Sequence, residues 1–473
     1  MEVVVIVMPI NAGKTWKTLG WITFGSLSTY GFLNQYPDYV SIERKNVESF
    51  TKSDNELSDK VKISRQNNSG KVIRARSLEK AIDKSRQQLL QWKIKQTIPG
   101  YVIGVSVQGE NVWTEGQGLA DIENKVPCHQ GTVMRIASIS KSITGTMLAK
   151  MAEDDKINLD GSIYDYLNDG QFPRKKWQNE TVDITVRQLA AHVGGIRSYK
   201  TEEEKKESAD FYSKEFYLKD SFPTVTESLG LFKDDPLVAK PGTKFHYSTF
   251  AYTLIAAVME TKMESKDFAK DYEKFIRNEL GLLHTHLDRN DTIIGDRSRH
   301  YCRDGKSGEI RNVPYVDNSY KWAGGGLLSN IPDLLQYGNL MLYSYLGVDH
   351  KGRVGFLRKS TVEEMWKPLE NSSPNWQQDK SKGYGLGFSV VRDGHGNRRA
   401  YAAEPLFDNC AMHSGGAVGA TSILVIEPEN EIVVAIIANL QEAGQISAMG
   451  LEIAKIFSTS ATSTAQLDDP SQL

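Results

Sequence analysis

Cysteine is scarce in this 473-residue sequence. Cys128, Cys302 and Cys410 lie far apart and are odd in number, which argues against a disulfide framework and against a thiolate metal site. A dominant charge is missing too. Lys and Arg number 57 against 59 Asp and Glu, a net −2, so no field gathers nucleic acid or an anionic membrane. The densest charge run, KTEEEKKE at 200–207, mixes both signs and reads as a solvated face. Long apolar runs are absent as well. The stretch Leu19–Leu33 falls short of the roughly 20 residues that span a bilayer and is diluted by Thr and Ser. What is present is a globular composition, 40% hydrophobic and 25% charged, in a chain long enough for one large domain or two to three smaller ones.

The chain divides by texture. Residues 1–33 hold two apolar runs, VVVIVMPI at 3–10 and Leu19–Leu33, with no arginine between them. They read as a targeting or membrane-anchor segment or as a plain apolar terminus. Residues 34–75 are polar and aperiodic, a linker. A folded pattern starts at 76. Apolar residues at helical spacing fill 77–95, and Pro99-Gly100 then breaks the run. Tyr101–Val107 and Asn111–Gly118 alternate as a hairpin around Gly109-Glu110. Helical patterns follow at 138–153, 185–192, 249–263, 266–279, 331–344 and 360–367. A second hairpin, Thr421–Glu427 with Glu431–Ala438, precedes a helix at 444–457 and a flexible Ser/Thr-rich tail at 458–473. Strands at both ends with helices between predict an α+β fold: one antiparallel sheet flanked by helices, plus an all-helical lobe. The charged stretch at 197–240 reads as an insertion.

Three short stretches carry chemistry. In RIASISKSIT (135–144), Ser138 and Lys141 stand at i and i+3, on one face of a helix start. A serine hydroxyl needs a nearby base to become a nucleophile, and a helix N-terminus favours both a developing alkoxide and a free amine. Tyr247, in PGTKFHYSTF, enters an apolar helix; its phenol could act as base only beside a cation such as Lys141. His413, in HSGGAVGATS, precedes the closing hairpin, and Gly415-Gly416 let backbone N–H groups approach a ligand. Each stretch taken alone is ordinary: an N-cap with a surface lysine, a packed tyrosine, a strand-edge histidine.

In that order, SISK, YST and HSG resemble the three motifs of the serine beta-lactamase and penicillin-binding superfamily. The flanks IPGYVIGVSVQGENVWTEGQG, ITVRQLAAHVGGI, SYKWAGGGLLSN and GYGLGFSVV are similar, in particular, to the mitochondrial serine beta-lactamase-like members found in animals, over about 76–457. The resemblance implies a class C beta-lactamase-like fold, a mitochondrial location, a peptidase or amidohydrolase activity without cofactor or metal, and a role in lipid metabolism. It makes Ser138 the acylated nucleophile and Lys141 its proton partner, with Tyr247 as second acid/base group. His413 takes the place of a third-motif lysine, Gly415 shapes the substrate edge, and the Ser138 and Gly416 N–H groups form an oxyanion hole. Two departures stand out. Thr249 replaces the usual asparagine, and His413 replaces a permanent cation by a group titrating near pH 6.5, which disfavours a beta-lactam carboxylate and favours a peptide, amide or ester. An esterase and a catalytically weak scaffold remain as alternatives, as do membrane association through the N-terminus and a homo-oligomer.

Other motifs carry less. NAGKT at 11–15 lacks the first glycine of a phosphate loop, and SDN at 53–55 sits in the linker. HTHLD at 284–288 has Arg289 where a zinc site would need another ligand, and reads as a surface turn. His192 reads as a packed histidine at a helix end, with Gly194-Gly195 as its C-cap, and Gly324–Gly326 as a turn beside the cleft.

Overall fold

The computed structural model describes Val7–Pro9, Trp16–Thr18 and residues 76–465, except 200–213, 348–351, 392–406 and 408. The two short N-terminal strands pair antiparallel in a unit of their own, Met1–Asn67. Most of the targeting and linker segments, and much of the charged insertion, lie outside the described residues. Among those described, no helix is long and apolar enough to cross a membrane.

The second unit is organised by one eight-stranded antiparallel sheet. Its strands in chain order are β1 (Gly100–Val107), β2 (Glu110–Asp121), β3 (Val126–Pro127), β4 (Lys382–Tyr384), β5 (Ser389–Val391), β6 (Cys410–Ala417), β7 (Ala420–Glu427) and β8 (Ile432–Ala438). In space they run β4-β5-β6-β7-β8-β1-β2-β3. Both expected hairpins are present, and β8 pairs with β1, closing the two chain ends onto each other.

The central strands are buried throughout because both faces are covered, so the alternation expected of Tyr101–Val107 does not mark a solvent-facing side. Ile103, Val105, Ile423, Val425, Val434 and Ile436 face one layer. It is made by α1 (76–95), through Leu89 and Trp92, and by the closing helix, through Ile453 and Phe457. Val102, Leu424, Val433, Ala435 and Ile437 face the helical lobe. The lobe's main helices are α2 (Ser140–Glu153), α3 (Thr249–Glu260) and α4 (Ile331–Leu346). α4 lies close on the sheet: a Cβ on Gly338 would come within 2.4 Å of Val433 Cγ1, nearer than side chains pack.

The closing helix, α5 (Ile446–Ala465), runs past its expected end at 457. Phe457 stacks on Trp113 of β2, and Ser460 exchanges hydrogen bonds with Ser77 of α1, so docking on a neighbouring helix holds the Ser/Thr-rich turn. HTHLD is no surface turn either. His286–Leu287 pairs with Leu327–Leu328 in a small sheet with Met134–Arg135, and Asp288 is buried between Arg135 and Arg297. Among the described residues no group of His, Cys, Asp and Glu is arranged to hold a metal, and all three cysteines are free.

Candidate active site

Ser138 sits where the lobe meets the sheet, in a 3-10 turn, Ala137–Ile139, that leads into α2. The turn is fixed from several sides. The Ile136 carbonyl accepts from Ser422 Oγ of β7 at 2.7 Å, and the Ile136 N–H donates to Leu327 O. Ser140 Oγ donates to Ala137 O at 2.6 Å and accepts from the Leu327 N–H. Arg135 reaches the Val418 carbonyl in the β6–β7 turn. Ala137 itself has φ +51, a left-handed conformation that costs a side-chain-bearing residue energy and persists only where surroundings hold it. That device leaves Ser138 partly open while its neighbours are buried.

Lys141 is fully buried, and its Nζ donates to Ser138 Oγ at 3.0 Å. It also reaches Thr249 Oγ1 at 3.4 Å and the Gly324 carbonyl. Burial pulls its pKa well below that of a free lysine, and the Lys321 ammonium adds to this. Desolvation and a like charge therefore do what was expected of the helix N-terminus. Lys321 is itself buried, with Tyr199, Phe216 and Tyr320 rings 5.1–5.6 Å from its Nζ; burial first, then Arg135, lowers it to about 7.

Tyr247 lies just before α3, whose N-cap Ser248 accepts from the Ala251 N–H. The Tyr247 ring lies against the Lys141 amine, with Nζ 4.8 Å from the ring centre, and its phenol interacts with Ser138. Burial raises the phenol's pKa above that of free tyrosine, against the opposing effect of Ser138. The Tyr247 phenol therefore keeps its proton at neutral pH.

His413 departs furthest from expectation. Its Nδ1 is 2.6 Å from the Ser414 carbonyl, which can only accept, so Nδ1 carries the proton. Nε2 is then an acceptor, and it receives the Tyr384 hydroxyl at 2.6 Å. Burial, with the nearby Lys141, lowers the imidazole to about 3. His413 is thus a neutral ring with both nitrogens engaged, not a group titrating near pH 6.5. Along β6, β5 pairs only with Cys410–Met412. Among the described strands none covers that edge from His413 to Ala417. Gly415 packs against the serine turn, where a Cβ would stand 2.5 Å from Ile136 O and 2.8 Å from Ala137 Cβ; a Cβ on Gly416 would meet open space.

The structure thus brings Ser138, Lys141 and Tyr247 together, with His413 and the Gly415-Gly416 edge alongside. Tyr384 and Lys321 escaped the sequence reading, which named Thr249 only as a departure and Gly324 only as part of a turn beside the cleft. Thr249 and Gly324 hold the Lys141 amine, Tyr384 holds His413, and Lys321 biases Lys141. Thr249 stands at a motif position, and Gly324 and Tyr384 lie in glycine-rich stretches whose backbone approach could have flagged them; nothing in the sequence marks Lys321.

Comparison with known proteins agrees with this architecture. The Beta-lactamase family model matches residues 76–453. The mitochondrial serine beta-lactamase-like protein LACTB of Mus musculus is 38% identical over 459 residues, covering 81% of each chain. Two solved structures share the fold. EstCE1, a hydrolase with promiscuous acyltransferase activity, has a TM-score of 0.63 at 22% identity, covering 80% of this chain and 98% of its own. The octameric penicillin-binding protein homologue from Pyrococcus abyssi has a TM-score of 0.62 at 22% identity, covering 80% and 77%. On the match to the family model and the identity to the mouse protein, this chain belongs to the serine beta-lactamase-like branch of the beta-lactamase family.

Proposed function

We propose that this protein is a mitochondrial serine peptidase or amidohydrolase that works through an acyl-enzyme on Ser138. The observation that carries the reading is the buried Lys141 amine 3.0 Å from Ser138 Oγ. A depressed pKa leaves that amine free to accept a proton, which an exposed lysine at neutral pH does not do. Lys141 takes the Ser138 proton as Oγ attacks the substrate carbonyl carbon. The Ser138 and Gly416 N–H groups hold the oxyanion, each donor contributing about 3 kcal/mol to the transition state in comparable sites. Collapse breaks the bond to the leaving group, and the Tyr247 phenol supplies its proton. Proton return from Lys141 to Tyr247, through Ser138's vicinity, resets the pair. Water then repeats the sequence on the acyl-enzyme, with Lys141 again as base.

His413 adds no charge here; with Tyr384 it keeps the β6 edge rigid and neutral. That supports a neutral amide or peptide over a substrate anchored by a carboxylate, such as a beta-lactam. Residues 76–457 carry the reaction, residues 1–33 serve targeting or anchoring, and the mitochondrial mouse relative supports the location. A role in lipid metabolism belongs to the same reading.

A fluorophosphonate probe tests it: the probe should label the peptide containing Ser138, and Ser138→Ala should abolish labelling. Absence of labelling where a control hydrolase reacts would sink the reading in favour of a scaffold. A peptide-library profile against an ester panel then separates peptidase from esterase.

A further inference from the structure

His192 takes no part in the reaction as derived, yet it is buried at the centre of the site's aromatic cluster. Its ring centre is 4.3 Å from that of Tyr247, 4.5 Å from Tyr384 and 5.4 Å from Tyr252. Two hydrogen bonds tie it to the chain on either side of Tyr247. The His246 N–H donates to the His192 carbonyl at 2.8 Å, and the Ser248 N–H donates to His192 Nδ1 at 3.2 Å. Because Nδ1 accepts, Nε2 carries the proton, and that N–H is buried without a hydrogen-bond partner. Aromatic faces surround it instead, a weak but favourable environment for an N–H. The residue has φ +59, an uncommon conformation for a side-chain-bearing residue that Asn, Asp and His tolerate best.

We propose that His192 is the positioning residue for Tyr247, clamping its backbone on both flanks and packing against its ring so that the phenol stays within reach of Ser138. The proposal rests on the reading of Tyr247 as proton donor to the leaving group. A helix-end packing role would need only one of these contacts. A backbone carbonyl, a ring nitrogen and a tilted ring contact converging on one neighbour are what holding a proton donor requires, since a shift of about 1 Å can cost 10²-fold in rate. Burial and the nearby Lys141 keep the imidazole neutral, so Nδ1 stays an acceptor for Ser248.

The test uses the full chain and two ester probes. The p-nitrophenolate of p-nitrophenyl butyrate leaves without a proton; the phenolate of phenyl butyrate leaves more readily with one. In the acylation step, read as kcat/KM, Tyr247→Phe should slow phenyl butyrate far more than p-nitrophenyl butyrate; deacylation of the shared butyryl-enzyme affects both alike. His192→Asn keeps an acceptor for Ser248 and tolerates the left-handed backbone, but removes the ring. It should reproduce that selective loss in kcat/KM, roughly 10- to 100-fold, with Ser138 still labelled by the fluorophosphonate. The double variant should be no slower than Tyr247→Phe, because the two act as one unit. His192→Gln is measured alongside, so that folding of either variant suffices. Multiplicative losses, or equal slowing of both esters, would overturn the proposal while leaving Tyr247's role intact. No effect of Tyr247→Phe on either ester would instead sink the Tyr247 reading, and the positioning role with it.

Discussion

Acidification puts the neutral state of His413 to a quantitative test. In the unfolded chain a histidine titrates near 6.5; in the fold, burial and Lys141 hold His413 at about 3. Between those values the unfolded state binds a proton that the folded state refuses, so stability rises with pH there. The contribution is fully present above the unfolded pKa and drains away as pH falls toward the folded one. At about pH 5, the unfolded histidine is favoured by RT ln(1 + 10^1.5), which is about 2 kcal/mol. His192 and His300 are also held below their ordinary values by burial, so the whole protein loses more than this. The His413 share is isolated by comparing the wild type with His413→Asn, since every other group is common to both. Unfolding free energies from tryptophan fluorescence in urea, at about pH 7.5 and about pH 5, should show the wild type losing about 2 kcal/mol more than the variant. Equal pH slopes in the two proteins would refute the assignment and restore a histidine that charges in the folded state. A second readout follows from the same chemistry. Hydrolysis of a carboxylate-bearing beta-lactam should not improve between those two pH values, because no cation forms on the β6 edge to receive the carboxylate.

Two further outcomes are expected. Gly415→Ala drives a Cβ to 2.5 Å from the Ile136 carbonyl and 2.8 Å from Ala137 Cβ, and should cost about 1–3 kcal/mol with loss of fluorophosphonate labelling; Gly416→Ala, facing open space, should leave the melting temperature unchanged, and matching stability losses in the two variants would contradict the packing described. Asp288→Asn leaves Arg135 without its buried carboxylate partner, 2.7 Å away, and should destabilise by about 3–5 kcal/mol in chemical denaturation; a neutral result would show that the Arg135–Asp288–Arg297 cluster does not anchor the serine turn.

The hairpins and most helices were legible because their signals are local: turn residues between apolar runs, and apolar spacing at the helical period. The end of α5 was not, since Ser460 finds its partner Ser77 across 383 positions of chain. The site divides the same way. Ser138 and Lys141 stand three positions apart, so a helix start puts them on one face, and in the fold Lys141 Nζ lies 3.0 Å from Ser138 Oγ. His413 could be placed at the strand edge, but its charge state could not be read. That state is set by Tyr384, 29 positions away, and by a Ser414 carbonyl that dictates which nitrogen holds the proton. Lys141 shows why the distinction matters for function. A lysine in a helix start is a surface cation until Gly324 and Thr249 hold its amine and the charge of Lys321 bears on it, all three distant in sequence. Residue identity supplied the proposed nucleophile and its neighbour, whereas burial and long-range partners decide which of them carries a proton, and hence whether the serine can react at all.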